Sequence, residues 1–170
     1  MFGLLVPKRL EESAYGIDYE KEYESGIRGL VFDIDNTLVP HGAPADEKAV
    51  LLFRRLHALG FQTLLLSNNG EARVKPFAEA CESAYLFKAG KPSRKAAEAA
   101  LKLLGTKKEE TLVIGDQLLT DLLTASRAGI PHAIVRPIDR KEPFQIILKR
   151  ILERPFLAYA RRNEKIRRAT

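Results

Sequence analysis

The chain has 170 residues, and its 45% hydrophobic and 29% charged content is the balance of one globular domain, not of a disordered chain. No run approaches the ~18 uninterrupted apolar residues of a membrane span, and the N-terminal apolar stretch is too short, and lacks the basic lead-in, for a signal peptide. The formal charge of +6 is local: from Lys149 to Thr170 eight basic residues face two acidic ones, while the other 20 Lys and Arg balance 20 Asp and Glu.

Tyr15, Tyr19 and Tyr23 recur every four residues, which predicts a packing stripe near the N-terminus rather than a membrane anchor. Gly29 to Phe32 reads as a short strand ending at Asp33. Asp46 opens a helix carrying Val50, Phe53, Leu56 and Leu59, closed by Gly60. Gln62 to Leu66 is a second strand, stopped by the turn Ser67-Asn68-Asn69-Gly70. Glu71 to Cys81 reads as a helix that Pro76 is expected to kink or confine. A short strand at Ala84 to Phe87 precedes Lys91, and Pro92 is expected in the first turn of a helix running to Leu104 and Gly105. Thr111 to Ile114 is the clearest strand and runs into Gly115-Asp116. A helix from near Leu118 to Ala128, then Gly129, leads to a last strand at Ala133 to Val135.

Strands alternating with helices predict an α/β, Rossmann-like fold with a parallel central sheet, over a core of about 28–136 within a single domain of 1–170. Ligands in such sheets bind beyond the carboxyl ends of the strands. The polar residues Asp33, Ser67, Lys91 and Asp116 all fall at such ends.

Asp33 and Asp35, two carboxylates on an extended backbone, would point the same way and repel unless a cation or proton lies between them. A hard divalent ion held by oxygen ligands answers that need, magnesium before zinc. Asp116 and Asp121 could complete an oxygen-only site, and Ser67 and Lys91 add a hydroxyl and a cation for a phosphate-sized anion. Singly, each has a plainer reading: Asp33 and Asp35 as a turn pair, Asp116 and Asp121 as helix caps, Ser67 as a turn serine, Lys91 as a solvated lysine. Asn68 reads equally as a turn former and as a phosphate contact. His41, His57 and His132 lack ligand-like spacing and read as surface or packing residues. The lone Cys81 excludes an internal disulfide and a cysteine metal site, reads as a small core residue, and suits a reducing, cytoplasmic location.

The ordered set resembles the haloacid dehalogenase (HAD) superfamily. DIDNT over Asp33–Thr37 is similar to its DxDxT motif, Ser67 after LLL to its second, Lys91 in GKP to its third, and Gly115-Asp116 with Asp121 to its fourth. DIDNTLVP, SNN, GKP and GDQLLTD together resemble the YqeG branch, which is similar to phosphatidylglycerophosphate phosphatases; Asn36 replaces the usual glycine of DxDGT. The resemblance implies a magnesium-dependent phosphomonoester hydrolase with Asp33 as nucleophile and Asp35 as acid and base. It implies Thr37 as loop support and Ser67, Lys91 and the neighbouring Asn68 as phosphate ligands. Asp33, the Asp35 carbonyl and Asp116 would hold the metal, and Asp121 would bind it through water or orient Lys91.

The 23 residues between Ser67 and Lys91, and the loop plus helix between Asp35 and Ser67, leave no room for an inserted lid, so a capless (subclass III) member is expected. An open site suits a phosphate on a bulky partner, including a phospholipid head group. The segment of about 143–170 interleaves Phe144, Ile147, Leu148, Ile151, Leu152, Phe156, Leu157 and Ile166 with basic residues, and Pro155 is expected to interrupt it. It reads either as a final helix on the sheet with a solvated tail, or as a basic amphipathic segment lying on an anionic membrane. Nucleic-acid ends, phosphoproteins or soluble phosphates are the alternative substrates, and a non-catalytic binding protein the alternative class. Nucleic acid is disfavoured because regularly interleaved aromatics are absent.

Overall fold

Gly29–Phe32 (β2) is buried at every position and alternates its side chains between two faces, which makes it the middle of a three-layer molecule. The computed structural model describes residues 2–139 and 144–169, and the side chains of 3–139 and 146–162. In chain order the elements are β1 (Leu10–Glu11), α1 (Tyr19–Glu24), β2, α2 (Glu47–Ala58), β3 (Gln62–Leu66), α3 (Glu71–Ala80), β4 (Ala84–Leu86), α4 (Arg94–Leu104), β5 (Thr111–Gly115), α5 (Leu123–Ala128), β6 (His132–Val135) and α6 (Phe144–Ala169). The six strands form one parallel sheet in the order β1-β6-β5-β2-β3-β4.

The chain adds β3 and β4 on one side of β2, then returns to place β5 on the other. Direction therefore reverses between β2 and β5, paired from Gly29 with Thr111 to Phe32 with Ile114. That reversal opens a crevice at the carboxyl ends of these two strands. Asp33 follows β2 and Asp116 follows β5, so both border it.

Leu30 and Phe32 face a core layer with Tyr19, Phe53, Leu56 and Phe77 from α1, α2 and α3. Val31 faces the opposite layer, with Leu64, Val113, Ala97, Ala100 and Ala125 under α4 and α5. Each large apolar side chain buried this fully contributes about 1.5–3 kcal/mol. The alanine stripe of α4 lets that helix lie close on the sheet. Asp46 caps α2 by accepting from the Ala49 amide at 2.8 Å, and Ser93 caps α4 by accepting from Lys95. Gly105 ends α4 with φ 69°, a conformation costly for any residue with a Cβ.

Tyr19 is fully buried and donates to the Ala14 carbonyl, Tyr23 packs edge-on to Phe61, and Tyr15 donates to the Leu38 carbonyl, so the tyrosine stripe is core packing. Cys81 is buried. His57 lies 2.8 Å from the Thr63 hydroxyl, and His132 is partly buried at the start of β6.

The expectations for Pro92 and Pro155 are corrected. Pro92 follows a cis peptide bond and lies before α4, which starts at Arg94 behind its Ser93 cap. Pro76 and Pro155 both lie inside helices. Each is exposed, and so is the residue four positions earlier (Ala72 and Ile151), so water can reach the carbonyl that the missing N–H leaves unbonded.

No element forms a lid domain among the described residues, and no helix is long and apolar enough to cross a membrane. Instead α6 packs back on the sheet. Phe156 and Leu157 rest against Leu118, Leu122 and Ile134, and Ala160 is buried. Ile147, Leu148, Ile151 and Leu152 are exposed. The expected contributions of the Phe144 and Ile166 side chains, and of Lys165, Arg167 and Arg168, lie outside the described side chains.

Candidate active site

Four loops at the carboxyl ends of β2, β3, β4 and β5 converge on one cleft of about 130 Å³, which is lined by Asp33, Asp35, Ser67, Asn68 and Lys91. The Lys91 ammonium is its hub. It donates to Asp33 at 2.6 Å and to Asp121 at 2.6 Å, and is almost fully buried. Carboxylate oxygens of Asp33, Asp116 and Asp121 all lie within 4.8 Å of one another. The Thr37 hydroxyl donates to Asp116 at 3.2 Å, tying the loop after β2 to the loop after β5.

The Asp121 position depends on two local features. It sits in a π-helical turn, Leu118–Leu122, that leads into α5, with the Leu122 amide reaching back to the Gln117 carbonyl. Its second oxygen accepts from the Gln117 amide at 3.1 Å. A Cβ added at Gly115 would stand 2.4 Å from the Asp121 carboxyl carbon, so only glycine lets this side chain lie against the end of β5.

Asp35 lines the same cleft as Asp33. Regular strand geometry ends at Phe32, before both aspartates, so the alternation expected of an extended chain no longer applies; the turn with Asn36 at a φ of 63° follows. The Asp35 carboxylate accepts from the Gly42 amide at 2.7 Å, Asn69 at 2.5 Å and Arg73 at 3.0 Å, and is not a member of the three-carboxylate cluster. The backbone carbonyl, which the sequence reading assigned to the metal, is a separate group.

Asn68 lines the cleft as well, and its side chain is bound to the Lys91 backbone. Its amide group donates to the Lys91 carbonyl at 2.9 Å and its oxygen accepts from the Lys91 amide at 2.7 Å. It clamps the lysine loop onto the end of β3. Ser67 is buried, and its hydroxyl accepts from the Asn69 amide at 3.2 Å.

Sequence reasoning missed the groups that support these residues. Arg73 from α3 pairs with Asp35. Arg150 from α6 donates to both the carboxylate and the carbonyl of Asp116. Glu153, one turn on and fully buried, accepts from the Leu119 amide at 2.9 Å. Ile146 and Lys149, also from α6, and the exposed His41 complete the cleft wall. A basic, apolar C-terminal segment carries no local signal that one of its arginines is bound to a site aspartate.

Burial pushes the Asp33 carboxyl up to about 7; Lys91 opposes the shift, while Asp121 and Asp35 add to it. Burial also holds Asp116 well above the usual carboxylate range, opposed by Arg150 and reinforced by Asp33 and Asp121. For Lys91, burial works against the charge, but Asp121 and Asp33 outweigh it and raise its affinity for the proton. Three crowded acids balanced by two cations, offering only oxygen donors, fit a hard divalent ion.

The comparisons with known proteins point the same way. The family model for haloacid dehalogenase-like hydrolases matches residues 41–129, beginning after the DIDNT loop and including Ser67, Lys91, Asp116 and Asp121. The chain is 35% identical over 162 residues to the probable phosphatase YqeG of Bacillus subtilis, covering 95% of this chain and 94% of that protein. It is 30% identical to the chloroplastic phosphatidylglycerophosphate phosphatase 1 of Chlamydomonas reinhardtii, over 92% of this chain but 62% of that longer one. A solved structure assigned to the HAD family hydrolases, from Streptomyces avermitilis, shares the fold with a TM-score of 0.55 at 21% identity, over 68% of this chain and 76% of that one. Family match, a relative aligned almost end to end and a common sheet agree, and the chain belongs to the haloacid dehalogenase-like hydrolases as a phosphatase of the YqeG branch.

Proposed function

We propose that this chain is a magnesium-dependent phosphomonoesterase that works through an aspartyl-phosphate on Asp33, with phosphatidylglycerophosphate as its substrate. The observation that carries the chemistry is the buried Lys91 ammonium, 2.6 Å from both Asp33 and Asp121, beside a cluster of three carboxylates. The substrate rests on the similarity to phosphatidylglycerophosphate phosphatases and on the open, lidless cleft.

Asp33, Asp116 and the Asp35 carbonyl would hold the metal, with Asp121 behind them. When bound, magnesium supplies positive charge to the phosphoryl oxygens as negative charge builds there. Ser67 and Lys91 bind the same oxygens from the other side of the cleft. An Asp33 oxygen attacks phosphorus, the bond to the leaving oxygen breaks, and that oxygen takes a proton from Asp35. A water then gives its proton to Asp35 and attacks the acyl phosphate, releasing inorganic phosphate and free Asp33. For this exchange Asp35 must turn from Arg73 and Asn69 toward the leaving oxygen. Thr37 holds the loop, and Asn68 fixes Lys91 rather than touching phosphate.

The whole chain, 1–170, acts as one catalytic unit in the cytoplasm. The basic C-terminal segment brings it to anionic lipid as a peripheral protein.

The test is phosphate release from phosphatidylglycerophosphate micelles, soluble phosphomonoesters and a phosphorylated oligonucleotide, each with magnesium or chelator, for the parent and Asp33→Asn. The expected result is magnesium-dependent release concentrated on the lipid and lowered at least about 1000-fold by the substitution, the scale of losing a catalytic nucleophile. Release only from the other esters would discard the lipid. Unchanged turnover in Asp33→Asn would discard the mechanism.

A further inference from the structure

The largest cavity described, about 620 Å³, does not lie over the carboxylates. It lies between α6 and the end of β6, and Arg136, Arg150, Arg154 and Arg161 line it with Ile147 and Ile151. A second hollow, of about 330 Å³, shares Arg136, Arg150 and Arg161 with it and reaches Asp116. The two therefore form one groove leading from Asp116 out along α6.

Residues 150, 154 and 161 fall on one helix face at spacings of four and seven, which explains why three guanidiniums enter one groove. Their partners differ. Arg150 is bound to Asp116 and near Glu153, and Arg136 is paired with Glu12. Arg154 and Arg161 have no carboxylate partner among the described residues. Asp139 lines the larger cavity, and Glu11 and Glu12, at the wall of the smaller one, are paired with Arg9 and Arg136. Positive charge gathered in a concave, partly apolar wall draws in an anion, and the planar guanidinium matches a phosphate oxygen pair.

We infer that this groove is a subsite for a second, unreacting anionic group of the substrate, a phosphodiester joined to an apolar body. Arg150 lines the groove and is bound to Asp116, whose carboxylate is clustered with that of Asp33, which sets the groove beside the carboxylate cluster. Arg154 and Arg161 bind the diester, and Ile147 and Ile151 face its apolar portion. The inference rests on the phosphatase reading and specifies what the substrate must carry beyond its terminal phosphate.

The experiment pairs binding with turnover, using the full chain and R154Q/R161Q, with thermal melts to establish that both are folded. Glycerophosphoglycerol has the diester and no phosphomonoester. Calorimetry should show that the parent binds it and that the double variant binds it at least about tenfold more weakly, the scale of lost charge-assisted hydrogen bonds. Glycerophosphoglycerophosphate should lose about tenfold or more in kcat/KM through KM, while glycerol 3-phosphate changes less than about twofold, because only the first reaches the groove. Failure of the parent to bind the diester, or equal losses on both esters, overturns the subsite. Tighter binding of dihexanoyl phosphatidylglycerol than of glycerophosphoglycerol assigns the apolar wall to lipid chains; equal binding assigns the groove to the free diester. Diester binding through the two arginines without any turnover of the lipid phosphate would keep the groove and discard the lipid. Lipid turnover untouched by R154Q/R161Q would do the reverse.

Discussion

Asp33 has the most consequential environment of any single residue here. Burial and two neighbouring carboxylates hold its proton up to about 7, against 3.8 for a free side chain. Between those values the folded protein keeps a proton that the unfolded chain has released. The metal-free protein therefore loses stability as pH rises through that window, and the loss is complete above about 7. Asp116, raised in the same direction, adds to it. A divalent ion relieves the same repulsion and favours the ionised acids. Magnesium should thus raise the melting temperature more at about pH 8 than at about pH 5.5, measured against chelator at each pH. Equal gains at both would place the ion elsewhere. The acids themselves were legible as residue types spaced behind strands, but which carboxylates cluster was not: regular strand ends at Phe32, so a period-2 argument does not extend over Asp33 and Asp35.

At the level of elements, the strands were legible because their apolar runs stop abruptly at polar, ligand-facing residues. Gln62–Leu66 coincides with its expected range, while β1, two residues long on the edge, offers no pattern to find. The role of α6 was not legible, because its site contacts pair residues far apart in the chain. Arg150 reaches Asp116 and Glu153 reaches Leu119, each across 34 positions. Glu153 is the attachment to test. Fully buried, it satisfies an amide at the start of the turn that carries Asp121. Glu153→Ala leaves that amide unbonded and should cost about 1–3 kcal/mol in urea unfolding, whereas Glu153→Gln keeps an acceptor and should cost less than about 1 kcal/mol. Equal costs would mean that the carboxylate holds α6 by charge and not through the hydrogen bond.

For the molecule as a whole, charge is unevenly distributed. The body is neutral, and the net +6 belongs to the C-terminal segment, whose helix borders the cleft and leaves Leu148 and Leu152 exposed. A lidless cleft next to a basic, apolar helix can work at an anionic surface without extracting its substrate, since each nearby Lys or Arg contributes about 1 kcal/mol to surface attachment. The proposed attachment would be screened by salt, while the buried Lys91 and Asp33 pair is shielded from it. Raising ionic strength from about 0.05 to 0.5 M should therefore lower turnover on anionic vesicles at least about fivefold, and alter turnover of a small soluble phosphomonoester less than about twofold. The comparison separates recruitment from chemistry: parallel loss on both substrates would place the salt-sensitive step inside the cleft, and the basic segment would have no part in bringing the enzyme to lipid.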